Sequence, residues 1–524
     1  MRPRCWGRGP EGYGYGTLWT KAQIESALAG QGAVCHVDED GHGSHVSGTA
    51  VGNGAAVGRF AGMAPEADII VVADDPWAET SMVDAAGFIY RIAQERGQPV
   101  VINLSAGTHF GPHDDSSLEV RALNNLVTDV EGRAFVASAG NEGSDFIHWG
   151  GFPLEQDSLW TYYYVPEEAL FEDEEGSGLV GYVEFFGIIS TADVAGTYIA
   201  MGVDRLRVRD FELTPLGYEG KTRWYSLEEL IEEEFGVWED LRYRSGRLAG
   251  EVGFAAQTLG REEVAVCITI TDFVTSLDLD SGTVTGADLW RFMARGSGQI
   301  HVWSEGVWSA ENEFVNLEVD DERYRPTDNR YTVGLPAVGS QIIAVGAYVN
   351  VADEADAFFN PNPTPAGALA AWSSRGPTTD GRIKPEIAAP GQNVFSVLSS
   401  AIDGQALEEE LGGSLLAPGG KHMVLSGTSM SSPVAAGSIA LYLQQHPTAT
   451  NARIRDTFFK NAATDAFTAA AGSLPNSDWG FGKLDLFAVL TAAQEEPGPI
   501  PSACIPGDVN DDGRITLVDA LFTL

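Results

Sequence analysis

At 524 residues, 44% apolar and 20% charged, the chain is long enough to bury a large core. At roughly 150 residues per domain it should form two to four domains, which excludes a single small module. Its 32 basic and 74 acidic side chains leave a formal charge of −42, so like-charge repulsion argues against a nucleic-acid groove or an anionic membrane surface as a partner.

From about Thr17 to Ala139, helical periodicity (TLWTKAQIESALAG, SLEVRALNNLVTDV) alternates with short apolar runs (ADIIVVA, PVVINLSAG, RAFVASAG). This predicts a parallel sheet covered by helices, with ligand sites beyond the carboxyl ends of the strands, where INLSAG and VASAGN break into Gly-rich loops. From about Gly150 to Asn329 the texture becomes aromatic and β-branched alternation (LWTYYYV, LVGYVEFFGIIS, VAVCITITDFV), as expected of an inserted all-β domain. The acidic stretch SLEELIEEEFG within it reads as a solvated helix. The α/β texture then resumes at VGLPAVGSQIIAVGAYV and ends near GFGKLDLFAVLTAAQ. The expected division is a discontinuous α/β domain at 1–150 and 330–493, an inserted β domain at 151–329, a Pro-rich linker at 494–503 and a separate module at 504–524.

Cys5, Cys35, Cys267 and Cys504 are too few and too scattered for a disulfide framework or a CxxC zinc site. MRPRCWGRGPEGYGYG has no apolar run of signal-peptide type, and no stretch reaches the roughly 18 apolar residues of a membrane span.

A serine nucleophile needs a base within hydrogen-bond reach and donors aimed at the developing oxyanion. Three segments supply candidates. In DGHGSHVSGTA, Gly41 and Gly43 flank His42 and small residues follow, so a helix can start here and pack closely on a neighbour; a lone histidine is equally a core residue. In LSGTSMSSPVAAGSIALYLQQHP, Ser429 follows a small polar turn and precedes a helix whose first turn accommodates Pro433. Its N–H can face an oxyanion there, although Ser426, Thr428 or Ser429 can equally be an N-cap. In VASAGNEG, a buried strand ends in a glycine turn that projects Asn141, a residue ordinarily structural in turns. The serine segment is not a GxSxG elbow, which removes the main support for an α/β-hydrolase.

HGSHVSGT, ASAGN and SGTSMSSP occur in this order, and each resembles a signature of the subtilisin family of serine peptidases. INLSAG, GMAPEADI, SSRGP and KPEIAAPG extend the resemblance over roughly residues 11–150 and 330–493. It implies a subtilisin-like parallel sheet flanked by helices, and acyl transfer with no catalytic cofactor. His42 would be the base and Ser429 the nucleophile, with the Asn141 amide and the Ser429 N–H holding the oxyanion. Ser105, Ala106 and Gly107 would pair with the backbone of a protein or peptide substrate, and with Ala137, Ser138, Ala139 and Gly140 would border the first specificity pocket. The family's extracellular or cell-surface setting is carried with it.

The family's catalytic Asp, on an apolar strand upstream of the histidine, has no counterpart; Asp38 and Asp40 belong to the approach loop. YGYGTLWTKAQIESAL resembles the stretch before the histidine in proteins related to clostridial spore-germination proteases, which also carry a jelly-roll insert after the oxyanion Asn. The expectation is therefore a truncated protease whose Asp strand lies further upstream, with a catalytically dead binding or scaffold protein as the alternative. In THFGPHDDSSLEV, a metal site from His109, His113, Asp114 and Asp115 competes with helix initiation through a Ser116–Glu119 capping box, which is favoured.

At the C-terminus, GDVNDDGRITLVDAL sets Asp508, Asn510, Asp512, Thr516 and Asp519 at positions 1, 3, 5, 9 and 12 of an EF-hand-type calcium loop, with Gly513 at position 6. It resembles one repeat of a dockerin, which implies calcium binding and a cohesin-like or cell-surface partner.

Overall fold

The computed structural model describes residues 9–495 and 518–520, except 74–80, 156, 165–169, 173–178, 191–193, 210–211, 234–235, 247, 259–262, 274–276, 279–282, 285–287, 306–312, 318, 353–363 and 412–414. Its centre is a four-stranded parallel sheet of β1 (Val100–Leu104), β2 (Arg133–Ser138), β3 (Ile343–Val349) and β4 (Ile387–Gln392), in that spatial order. β1 is buried at every residue and β2 at all but its first. This is why the predicted strands read as continuous apolar runs rather than alternating ones: helices cover both faces.

The covering helices include α1 (His42–Val51), α2 (Leu118–Val127) and α3 (Thr428–Gln445), with α3 packed across the sheet and against α1. α3 is buried along nearly its whole length, and its Ser, Ala and Gly content suits it to that place. At Gly437 the helices come so close that a Cβ would lie 2.7 Å from Met63 Cβ and 2.8 Å from the Ala50 carbonyl oxygen. Pro433 lies in the second turn of α3 rather than the first, as the sequence suggested, because the helix starts at Thr428. The N–H it lacks would have bonded Ser429 O; the Ser105 hydroxyl donates to that carbonyl instead, at 2.9 Å.

Between β2 and β3 the described residues include two large antiparallel sheets. One runs Val237–Arg242, Leu248–Thr258, Glu263–Phe273, Leu179–Ser190, Gln299–Glu305, His148–Pro153; the other is built around Tyr198–Arg209, Asp288–Arg295 and Leu159–Tyr164. Trp149, Tyr163, Trp290, Phe254, Phe292 and Phe314 fill a common core drawn from both. The acidic stretch forms the helix Leu227–Glu232, capped by the Ser226 hydroxyl accepting Glu229 N–H at 3.1 Å, and buries Leu227 and Leu230. A short parallel pair joins Asp68–Ile70 to Val518–Ala520, with Ile69 opposite Asp519.

One buried charged staple joins Lys384, Glu386 and Arg455; another buried pair, Arg291 with Asp204, lies in the antiparallel region. Lys384, 1% exposed, donates to the carbonyls of Gly339 and Ile342 at 2.8 Å and pairs with Glu386, which also takes Arg455 at 2.9 Å. Burial pulls the Lys384 ammonium down to about 8, against the opposing pull of Glu386. Cys35 is disulfide-bonded and Cys267 is not, so the partner of Cys35 lies outside the described residues. Among those residues, no helix is long and apolar enough to cross a membrane.

Candidate active site

Gly41 starts α1. Its φ of +87° is one that L side chains rarely adopt, and a Cβ there would collide with Ile402, so glycine is required immediately before His42. Asp38 then caps the helix: its carboxylate accepts the N–H of Gly41 at 2.8 Å and of Ser44 at 2.6 Å. Burial pushes Asp38 up, but the Ser44 and Gly41 bonds, with His42 nearby, outweigh it and hold the carboxyl below its ordinary value. Asp38 is thus engaged at the start of the histidine helix, as expected of an approach-loop residue. His45, one turn on, is the structural histidine of the pair: its Nε2 lies 3.1 Å from Val394 O and 3.2 Å from Met423 O, and burial drives it down to about 4.

α1 and α3 run in the same direction. Val46 and Met430 share one small core cluster, and Ala50, one turn further along α1, meets Gly437, two turns further along α3. Both helices therefore begin at the same end, with His42 and Ser429 in their first turns. The N-cap of α3 is Gly427, so Ser429 is not the cap. Its hydroxyl lies 3.4 Å from Ser105 O, a long contact that leaves Oγ weakly held.

Asn141 lies in the turn just after β2, beyond Ala139 and Gly140, and reaches the start of the same helix. Its Oδ1 accepts the Thr428 N–H at 2.8 Å and the Thr428 hydroxyl at 3.0 Å, while that hydroxyl also accepts the Gly140 N–H at 3.1 Å. With its oxygen committed to Thr428, the amide presents its Nδ2 donor beside the first turn of α3. Thr428 is the positioning residue that the sequence reading named only as a possible N-cap.

Ser105 is buried, and its hydroxyl joins Asn103 Nδ2, Ser432 Oγ and Ser429 O, so its side chain ties β1 to α3. Ala106 is half-buried and Gly107 exposed. Ala137 and Ser138 lie within β2, opposite Ala344 and Val345, and Ala139 N–H bonds Val345 O. Of the residues expected to border a pocket, Ala106, Gly107 and Gly140 are the accessible ones.

The helix after the THFGPHDDSS segment is capped by Ser117, which accepts Val120 N–H at 3.1 Å, and not by a Ser116–Glu119 box. Ser116 N–H instead bonds Asp114, which tightens the turn and shifts the cap by one residue. Asp115 accepts Asn124 and the Ser340 N–H. Among the described residues, no group of three or more His, Cys, Asp or Glu is placed to hold a metal ion. Asp508, Asn510, Asp512 and Thr516 lie outside the described residues, and Asp519 falls on the strand Val518–Ala520.

The chain is 35% identical over 135 residues to an uncharacterized protein of Aquifex aeolicus (26% of this chain, 56% of that protein). It is 35% identical over 127 residues to the serine protease AprX of Bacillus subtilis (24% of this chain, 25% of that protein). The match thus spans about half of one relative's length and a quarter of the other's. Among solved structures, the Clostridium perfringens CspB protease shares the fold, with a TM-score of 0.62 at 20% identity over 92% of this chain and 88% of that one. The subtilase family model matches residues 30–168 and 269–482, more than half of the chain. On that match, joined to the arrangement of α1, α3 and Asn141, the chain belongs to the subtilase family.

Proposed function

We propose that the chain is a serine endopeptidase working through an acyl-enzyme on Ser429. His42 takes the hydroxyl proton as Oγ attacks a peptide carbonyl and returns it to the leaving amine; a water deprotonated by His42 then releases the acyl group. The observation carrying this reading is the Asn141–Thr428 pair: a 2.8 Å bond to the helix N–H fixes the amide so that its NH₂ and the Ser429 N–H converge at one helix N-terminus. The substrate backbone would lie along Ser105, Ala106 and Gly107, beside the half-exposed Gly140.

The antiparallel sheets between β2 and β3 are read as an inserted jelly-roll-like domain, supported by their shared aromatic core. An extracellular or cell-surface setting is supported by the Cys35 disulfide. The C-terminal repeat would hold calcium through Asp508, Asn510, Asp512, Thr516 and Asp519 and dock a cohesin-like or surface partner; its support is their spacing. Isothermal titration of the full chain with calcium, against an Asp508→Ala, Asp512→Ala double variant, tests it.

A second reading, a protease fold used as a non-catalytic scaffold, is favoured by one observation. Asp38 and Asp40, the aspartates just before His42, are both bonded to the backbone at the start of α1. The two readings separate in a fluorophosphonate labelling experiment. Covalent labelling at Ser429, lost in Ser429→Ala with unchanged thermal stability, is the expected result. A folded protein that takes no label supports the scaffold.

A further inference from the structure

Four histidines meet where the antiparallel sheets touch the loops around Asn141. His109 and His113 lie on the loop after β1, His148 on His148–Pro153 and His301 on Gln299–Glu305; none is more than 8% exposed. His109 Nδ1 is 3.3 Å from His113 Nε2, and His148 Nε2 is 3.0 Å from His301 Nδ1. The Trp303 ring, fully buried, packs against three of them, with centroids 3.8 Å from His113, 5.2 Å from His148 and 5.7 Å from His301. A carboxylate closes each end: Glu142 lies 3.3 Å from His109 Nε2, and Asp328 3.3 Å from His148 Nδ1. Glu142 follows Asn141 directly and is held by the Ser374 hydroxyl at 2.9 Å, so the seam runs from the oxyanion candidate into the antiparallel sheet.

The chemistry limits how many protons this seam can carry. Each N···N contact needs one nitrogen to donate and one to accept, so each histidine pair keeps its bond only while one ring is neutral. A charged His113 would also need an acceptor at Nδ1, which is buried and has no hydrogen-bond partner. The two carboxylates can balance one cation at each end. The other groups near the seam are Tyr331, tilted against His148 and edge-on to His301; Arg330, beside Asp328; Asp114, whose Oδ1 accepts Ser116 N–H; and Thr379, which donates to His113 O. None offers a carboxylate to His113 or His301.

We propose that this seam is a pH-sensitive clasp: with neutral imidazoles it holds the antiparallel sheets against the loops carrying Asn141 and residues 105–107, and protonation in mildly acid solution opens it. Burial holds His113 well below its ordinary value, His148 below it, and His301 down to about 3. Each of these rings is neutral in the closed state and free to take a proton once exposed, so closure is favoured at neutral pH. It weakens as pH falls below the ordinary histidine value of about 6.5, toward the lowered values. Each such histidine raises the opening constant by up to about tenfold per pH unit in that window. Only the link to catalysis rests on the proposed peptidase activity.

Hydrogen exchange on the full chain, corrected for intrinsic rates, tests the clasp between about pH 7.5 and about pH 5.5. Amides of residues 105–116 and 146–150 should lose protection steeply as pH falls while those of β1 and β2 do not. Protection that is flat in pH, or lost equally throughout the core, overturns the proposal. In His113→Gln, the exchange slope should fall by about tenfold per pH unit. An unchanged slope also overturns it, and the wild-type profile decides the matter if that variant does not fold. The experiment needs no substrate, so a scaffold without peptidase activity would leave its outcome readable.

Discussion

The parallel α/β region and the antiparallel region are packed by different means. The first brings backbones together through small residues: α3 crosses the sheet on Ser, Ala and Gly, and Gly437 lets it touch Ala50. The second keeps its sheets apart with large side chains, among them Trp149, Trp290, Phe254 and Phe292. Positions where main chains touch admit almost no substitution, and they also set where His42, Ser429 and Asn141 stand. An aromatic core tolerates exchange if its volume is kept, so the core positions of the antiparallel region accept exchanges that the site does not.

The largest effect on stability should come from Glu386→Ala, which leaves Lys384 buried without its counter-charge; chemical denaturation should show a loss of about 3–5 kcal/mol. Next is Gly437→Ala, where one methyl group meets the Ala50 carbonyl and Met63, with an expected cost of about 1–3 kcal/mol. Met201→Leu, at a fully buried position of the antiparallel core, should cost less than about 1.5 kcal/mol. If that exchange proves the costlier of the two, the contrast between the regions fails. Smallest is Ser105→Ala, which leaves the Ser429 carbonyl without the donor that replaces the missing Pro433 N–H; the expected loss is about 0.5–1.5 kcal/mol.

The strands of the parallel sheet were legible because burial on both faces writes continuous apolar runs, and VVINL and RAFVAS fall within the predicted ones. The start of α1 at His42 was legible from its flanking glycines. The cap of α2 was placed one residue early, since Ser116 and Ser117 are equivalent in sequence and only the bond from Ser116 N–H to Asp114 separates them. Pro433 was placed a turn early for a related reason: the sequence permits proline in a first turn, but does not reveal that Ser105, far away in the chain, supplies the missing donor.

By itself, the sequence determined the residue types at the site and their order, because Gly, Ser and Asn at turns and helix starts are local requirements of backbone geometry. Tertiary structure alone decided what those residues touch. The Thr428 bond that orients Asn141 spans 287 positions, and the His148–His301 contact spans 153. Periodicity and spacing report only on neighbours along the chain, whereas these pairs meet because sheets and helices pack to remove apolar surface from water.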